Sequence, residues 1–261
     1  MKSHPLASLA VAAALLAPAS TLAQDSTAAP VPAPPSAPAL SPGSLDGSRL
    51  AAGAWSYVST VTRSGATVEL GRRTLTVSRA EEGGRPAWLL LDETSGHGQT
   101  FRDSLFVARA GLEPIRQHAE AGPMSVRLRF SHDSVTGAIE LTGAPTTPVA
   151  FEVSSPPVAN AGMLESILAL APLDSGWEAS IGQLVVSPVG TAVLPITIRV
   201  VGEETVTVPA GTFPTWIVEI VTSEVAQRLW VDRATGRLVR ARSEAPGMAG
   251  VTYETVLVEG R

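Results

Sequence analysis

The side chains that ordinarily carry chemistry are few in this sequence and poorly spaced for it. There is no cysteine, and four histidines serve 261 residues. Beyond the first residues these are His97, His118 and His132. None stands in a His-Glu-x-x-His spacing or another recurring metal-ligand spacing. His118 and His132 lie near each other in the chain and could meet across a hairpin, with Asp133 close by. Isolated histidines on strands are ordinarily surface residues. There is no Gly-x-Ser-x-Gly elbow to expose a nucleophilic serine. Glu81-Glu82 and Glu203-Glu204 are adjacent pairs in expected hairpin turns. Neighbours on an extended chain point to opposite faces, so neither pair makes an acid/base couple. No catalytic residue, metal or cofactor is assigned.

Two residue types remain that could hold a ligand. Arginine keeps its charge and grips carboxylate or phosphate with a planar fork, which makes Arg116, Arg240 and Arg242 candidates for an anionic head group. Cross-strand pairing with Asp and Glu is the competing use of the same residues. Trp88, Trp216 and Trp230 are candidates for the apolar side of a site. Leu164, Ile167 and Leu168 join them from a helical segment.

These side chains need elements to place them. Val126-Arg127-Leu128-Arg129-Phe130, Ile196-Thr197-Ile198-Arg199-Val200 and Thr205-Val206-Thr207-Val208 alternate with period two, as antiparallel strands with one wet face do. Similar segments recur between Gly, Pro, Asp or Asn signals near 54–63, 66–78, 86–93, 103–108, 112–119, 124–131, 134–142 and 147–153. They resume near 183–187, 192–201, 204–209, 213–222, 225–232, 237–243 and 250–258. One stretch differs. Met163, Leu164, Ile167, Leu168 and Leu170 have helical spacing, Asn160 is a suitable N-cap and Pro172 a stop, which predicts a short helix over 160–171. The expected fold is all-β: an antiparallel meander forming a strongly curved open sheet or half-barrel, with that helix covering its apolar face.

The order of motifs occurs twice. Thr74-Leu75-Thr76-Val77, Trp88 and Leu105-Phe106-Val107-Ala108-Arg109-Ala110 are followed by Gly111 and Arg116. Thr205-Val206-Thr207-Val208, Trp216 and Leu229-Trp230-Val231-Asp232-Arg233-Ala234 are followed by Gly236 and Arg240. The offsets, 131, 128 and 124, drift by turn lengths, which predicts two similar halves, about 54–153 and 183–258.

The start of the chain predicts export. Lys2, an apolar run from Leu6 to Leu16, Pro18 and Thr21-Leu22-Ala23 form a signal-peptide pattern, with cleavage after Ala23. The run falls short of the roughly 20 residues that span a bilayer. With no cysteine to lipidate, the product is expected in the periplasm or outside the cell rather than as a lipoprotein, with no transmembrane segment in the mature chain. Residues 24–48 are rich in Pro and Ala and read as a disordered linker. A single β domain then runs over 49–261. Lys2 is the one lysine among 19 basic residues, so its loss leaves arginines against 24 Asp plus Glu, a negative mature chain. That balance argues against nucleic acid as a partner. It also leaves no lysine for a Schiff base or a phosphate loop.

The stretch Val206-Thr207-Val208-Pro209-Ala210-Gly211-Thr212-Phe213-Pro214-Thr215-Trp216, followed by Leu229-Trp230-Val231-Asp232 and the Gly236 turn into Leu238-Val239-Arg240, resembles bacterial envelope proteins with domain of unknown function 3108. The second hairpin is also similar to that of periplasmic lipoprotein carriers, which implies an open half-barrel around short helices. The resemblance brings no activity and no site residue with it. The expected function is therefore a non-catalytic periplasmic protein that binds an apolar or amphiphilic envelope molecule, a lipid-like ligand. The alternatives are a module docking on another envelope protein through a sheet edge, and a hydrolase with an unrecognised site.

Overall fold

The computed structural model describes residues 37–187, 190–222, 226–245 and 248–260. The signal segment and residues 24–36 of the Pro/Ala-rich stretch lie outside the described residues. Eight strands come first: β1 (Gly53–Arg63), β2 (Ala66–Glu82), β3 (Arg85–Gly96), β4 (Gln99–Ala108), β5 (Pro114–Ala121), β6 (Met124–Phe130), β7 (Ser134–Leu141) and β8 (Thr147–Glu152). Helix α1 (Ala161–Leu170) follows. Six more strands complete the chain: β9 (Glu178–Ser187), β10 (Gly190–Val208), β11 (Gly211–Val221), β12 (Ala226–Asp232), β13 (Leu238–Glu244) and β14 (Val251–Gly260).

All fourteen strands form one antiparallel sheet in the order β8-β7-β6-β5-β4-β3-β2-β1-β14-β13-β12-β11-β10-β9. The sheet is open, since β8 and β9 are not paired. It is also strongly curved. β6 and β9 stand eleven places apart in the order, which would be roughly 50 Å in a flat sheet at ordinary strand spacing. Yet Val126 of β6 and Leu184 of β9 belong to one buried cluster. The expected all-β open sheet with one helix is the observed fold.

The two halves are visible in the register. β1–β6 and β9–β14 are six-strand meanders joined where β1 pairs with β14. The pairing of β4 with β5 slips between Phe106 and Val107, and that of β12 with β13 slips between Trp230 and Val231, 124 residues later in both cases. Arg109 lies over Trp88 and Arg233 over Trp216; Arg116 lies over Phe106 and Arg240 over Trp230. One offset needs correction. Arg79 faces Trp88 and Glu203 faces Trp216, so the strand before the Trp strand is also displaced by 124, not 131. Two expected strands, 192–201 and 204–209, are a single β10. The Gly202-Glu203-Glu204 stretch that suggested a turn is instead a register shift within that strand.

α1 starts as predicted. Asn160 Oδ1 accepts from Met163 N at 2.8 Å. The helix buries Met163, Leu164, Ile167 and Leu168 in the main core with Leu75, Leu90 and Leu105. The folded unit begins ahead of Arg49. Leu40 N donates to Ser180 O and Ser180 N to Pro38 O, so this segment lines the outer edge of β9. Pro42, Leu45 and Gly47 are buried, and Trp88 Nε1 donates to Gly47 O at 2.8 Å. Proline in this stretch favours extended backbone, which serves an added edge segment as well as a tether. Among the described residues, no helix is long and apolar enough to cross a membrane.

Candidate functional site

The concave face is apolar at both ends and polar between. The main core holds α1 and the strands of both halves. The second cluster joins Val126, Leu128, Val135, Ile139, Val149 and Leu184 across the ends of the sheet. Between them runs a layer of ionisable side chains at inward positions. Tyr57 of β1 faces Arg73 of β2, Leu75 of β2 faces Asp92 of β3, and Asp92 faces Asp103 of β4. Arg73, Asp92, Asp103, Gln117 and Glu165 are each at most 6% exposed.

Arg73 donates from each of its three guanidinium nitrogens. Its Nε donates to Asp92 Oδ1 at 2.8 Å, its Nη2 to Asp92 Oδ2 at 2.6 Å, and its Nη1 to Glu165 Oε1 of α1. Burial works against its charge, but Asp92 and then Glu165 hold its pKa well above the ordinary value. Burial raises Glu165, opposed by Arg73. This ion triad ties the helix to β2 and β3.

Asp103 differs. Its Oδ2 accepts from Gln117 Nε2 at 2.7 Å and from Asn160 Nδ2 at 3.0 Å. Its Oδ1 is buried without a partner, and so is Gln117 Oε1. Burial pushes the Asp103 carboxyl up to about 7, against the lowering effect of those two hydrogen bonds. A pocket of about 170 Å³ opens onto these groups. Arg73, Asp92, Asp103, Gln117 and Asn160 form its polar side, with the hydroxyls of Ser59, Thr94 and Thr255. Phe101, Met124, Val126, Leu184 and Val186 form its apolar side. The pocket presents one unpaired carboxyl oxygen and one unpaired amide oxygen, and the neighbouring carboxylate is committed to Arg73. Among the described residues, no group of His, Asp and Glu is placed to hold a metal ion.

None of the nine sequence candidates lines this pocket. Trp88 is buried at the N-terminal segment, bonded to Gly47. Trp216 is half-buried against the core beneath Arg233. Trp230 donates through Nε1 to Glu204 Oε2 at 2.7 Å and carries Arg240 on its ring. Arg116 pairs with Glu82 at 2.7 Å, and Arg240 donates through Nε to Glu254 Oε1 at 2.8 Å. Arg242 is exposed on β13, opposite Arg228. The structure thus brings Arg240 and Trp230 together, and Leu164, Ile167 and Leu168 into the packed core, but does not converge the set on one cavity. Sequence reasoning missed Arg73, Asp92, Asp103, Gln117 and Glu165. Their signal was parity: Arg73 shares its face with Leu75 and Val77, Asp92 with Trp88 and Leu90, and Asp103 with Leu105 and Val107.

No curated protein matches the chain. Among solved structures, the hypothetical lipoprotein YmcC from Escherichia coli K12 is 13% identical, with a TM-score of 0.33 over 78% of this chain and 86% of that one. A Bacteroides fragilis protein with a YmcC-like fold is 11% identical, with a TM-score of 0.30 over 86% and 97%. The Pseudomonas aeruginosa MucA/MucB complex contains a chain 13% identical, with a TM-score of 0.28 over 82% and 53%. Likeness of this degree carries no argument about ligand, partner or activity. The model of the family described as "Protein of unknown function (DUF3108)" matches residues 56–254, most of the described sheet, and the chain belongs to that family.

Proposed function

We propose that this chain is a non-catalytic binding protein of the bacterial envelope that holds the polar end of an amphiphilic molecule in the pocket on its concave face. One observation carries the reading: two buried oxygens without partners, Asp103 Oδ1 and Gln117 Oε1, belong to residues that line the same pocket as a set of apolar side chains. Buried polar atoms are costly without partners, and a ligand that supplies donors removes that cost. The volume matches about five or six waters. It therefore suits a head group and its first few carbons, with the rest of the molecule along the half-buried fringe of Phe101, Met124, Phe151 and Val193. The signal-peptide pattern of residues 1–23 supports the envelope as the place of action.

Docking through a sheet edge has less support. The outer edge of β9 already pairs with segments at Pro38–Leu40 and Val158, and β8 offers six residues that include Pro148. Hydrolysis has less again, because both Asp92 oxygens accept from Arg73. Native mass spectrometry of protein isolated gently from the envelope fraction tests the proposal. A retained or re-loadable amphiphile, lost in an Ala119→Phe variant that fills the pocket, is expected. A protein that carries nothing and takes up nothing from mixed envelope lipids contradicts it.

A further inference from the structure

We infer that the polar end this pocket selects is a primary ammonium group, so that the ligand class is an amine-headed amphiphile. The inference rests on the pocket reading above and names the head-group chemistry. The first argument is hydrogen-bond polarity. The unpaired buried atoms at the pocket are Asp103 Oδ1 and Gln117 Oε1; above about pH 7, where Asp103 is ionised, both are acceptors, so the missing groups are donors. Their usual partners are accounted for: Gln117 Nε2 and Asn160 Nδ2 both donate to the other Asp103 oxygen. An anionic head brings acceptors to acceptors.

The second argument is charge. Arg73 is the cation on the lining, and all three of its guanidinium nitrogens donate to Asp92 or Glu165. These bonds use three of its five N–H groups, and its charge is already set against the two carboxylates that hold it. At a pH above about 7, where Asp103 is ionised, one guanidinium against Asp92 and Asp103 leaves the lining's polar side negative. Arg237, the next buried cation, donates through Nη2 to Ala51 O, stacks on Trp55 and leaves Nη1 unpaired, but it does not line the pocket.

The third argument is shape. An ammonium carries three donors on a tetrahedral centre. Two acceptors stand free, and the Thr94 hydroxyl on the same lining supplies a third, while those of Ser59 and Thr255 bond to each other at 2.9 Å. The apolar side formed by Met124, Val126 and Leu184 takes the first methylenes. Water can occupy such a site, but water has no preference for a charged amine over an alcohol of equal length, and that difference is measurable.

The test is calorimetric titration of the full mature chain with hexylamine, hexan-1-ol, hexanoate and ethylamine at a pH above 7. The expected result is hexylamine binding at least about tenfold tighter than hexan-1-ol or hexanoate, with ethylamine weaker than hexylamine for want of a tail. Asp103→Asn, checked for folding by its methyl NMR spectrum, should lose the hexylamine preference. Gln117→Leu, which removes one acceptor and no charge, should weaken hexylamine by a smaller factor. Hexanoate or hexan-1-ol binding as tightly as hexylamine overturns the ammonium assignment and leaves the pocket reading standing. Ethylamine equal to hexylamine overturns the amphiphile class. Failure of all four to bind overturns the pocket reading itself.

Discussion

Replacing Asp103 with Asn should change how folding stability responds to pH, and the size of the change follows from where the carboxyl sits. The side chain is 3% exposed and burial raises its pKa from 3.8 to about 7 in the folded protein. Below about pH 4 the group is neutral in both folded and unfolded chains and contributes no slope. Between about pH 4 and pH 7 the unfolded chain releases the proton while the folded chain keeps it, so stability falls as pH rises. A tenfold difference in proton affinity between the two states corresponds to about 1.4 kcal/mol, which puts the whole loss on the order of 4 kcal/mol. Against the roughly 5–15 kcal/mol typical of a folded domain, between about a quarter and four fifths of the total is at stake. The charged group acting on it is Asp92 of β3, which raises it further; Glu165 of α1 is also raised and keeps its own falling slope in the variant. Urea unfolding followed by tryptophan fluorescence from about pH 4 to pH 8 measures the effect. Asp103→Asn should gain on the wild type steadily across that range, by roughly 2–4 kcal/mol in all. Parallel stability profiles would refute the claim that this carboxyl is held neutral by burial.

Two further changes test the scaffold around the pocket. Arg73→Met leaves Asp92 and Glu165 buried without their counter-charge and should cost about 3–5 kcal/mol in urea unfolding at neutral pH, while the triple variant Arg73→Met, Asp92→Asn, Glu165→Gln should recover most of it. Gly236→Ala places a Cβ 2.4 Å from Ala169 Cα at a residue with φ of 68°, so it should destabilise by more than about 2 kcal/mol and lower hydrogen-exchange protection at the C-terminal turn of α1.

Much of the fold was legible because its strands obey period two. The turn glycines and the Asn160 cap mark element ends as local chemistry requires. The repeat was legible because both halves keep aromatics, arginines and a turn glycine in one order at nearly one spacing; the sheet register then reset one offset from 131 to 124. The site was not legible, for a physical reason. Alternation was read as apolar inside and polar outside, which sends Arg73, Asp92, Asp103 and Gln117 to solvent unless their parity with Leu75, Leu90 and Leu105 is followed strand by strand. Glu165 was hidden inside an apolar helix run, where its partner on β2 lies 92 residues away. Arg116 and Arg240 stood out because the repeat marks them. The repeat marks them for stacking on Phe106 and Trp230, and each is paired with a glutamate.

The most direct measurement is a methyl-NMR titration of the protein with hexylamine, reading where shifts move as the ligand is added. The account predicts movement at Met124, Val126, Leu184 and Val186, on the apolar side of the pocket, with Leu164, Ile167 and Leu168 of the packed helix still. Shifts confined to the helix and core, or to the Trp230–Arg240 stack, would contradict it, as would a spectrum that does not change.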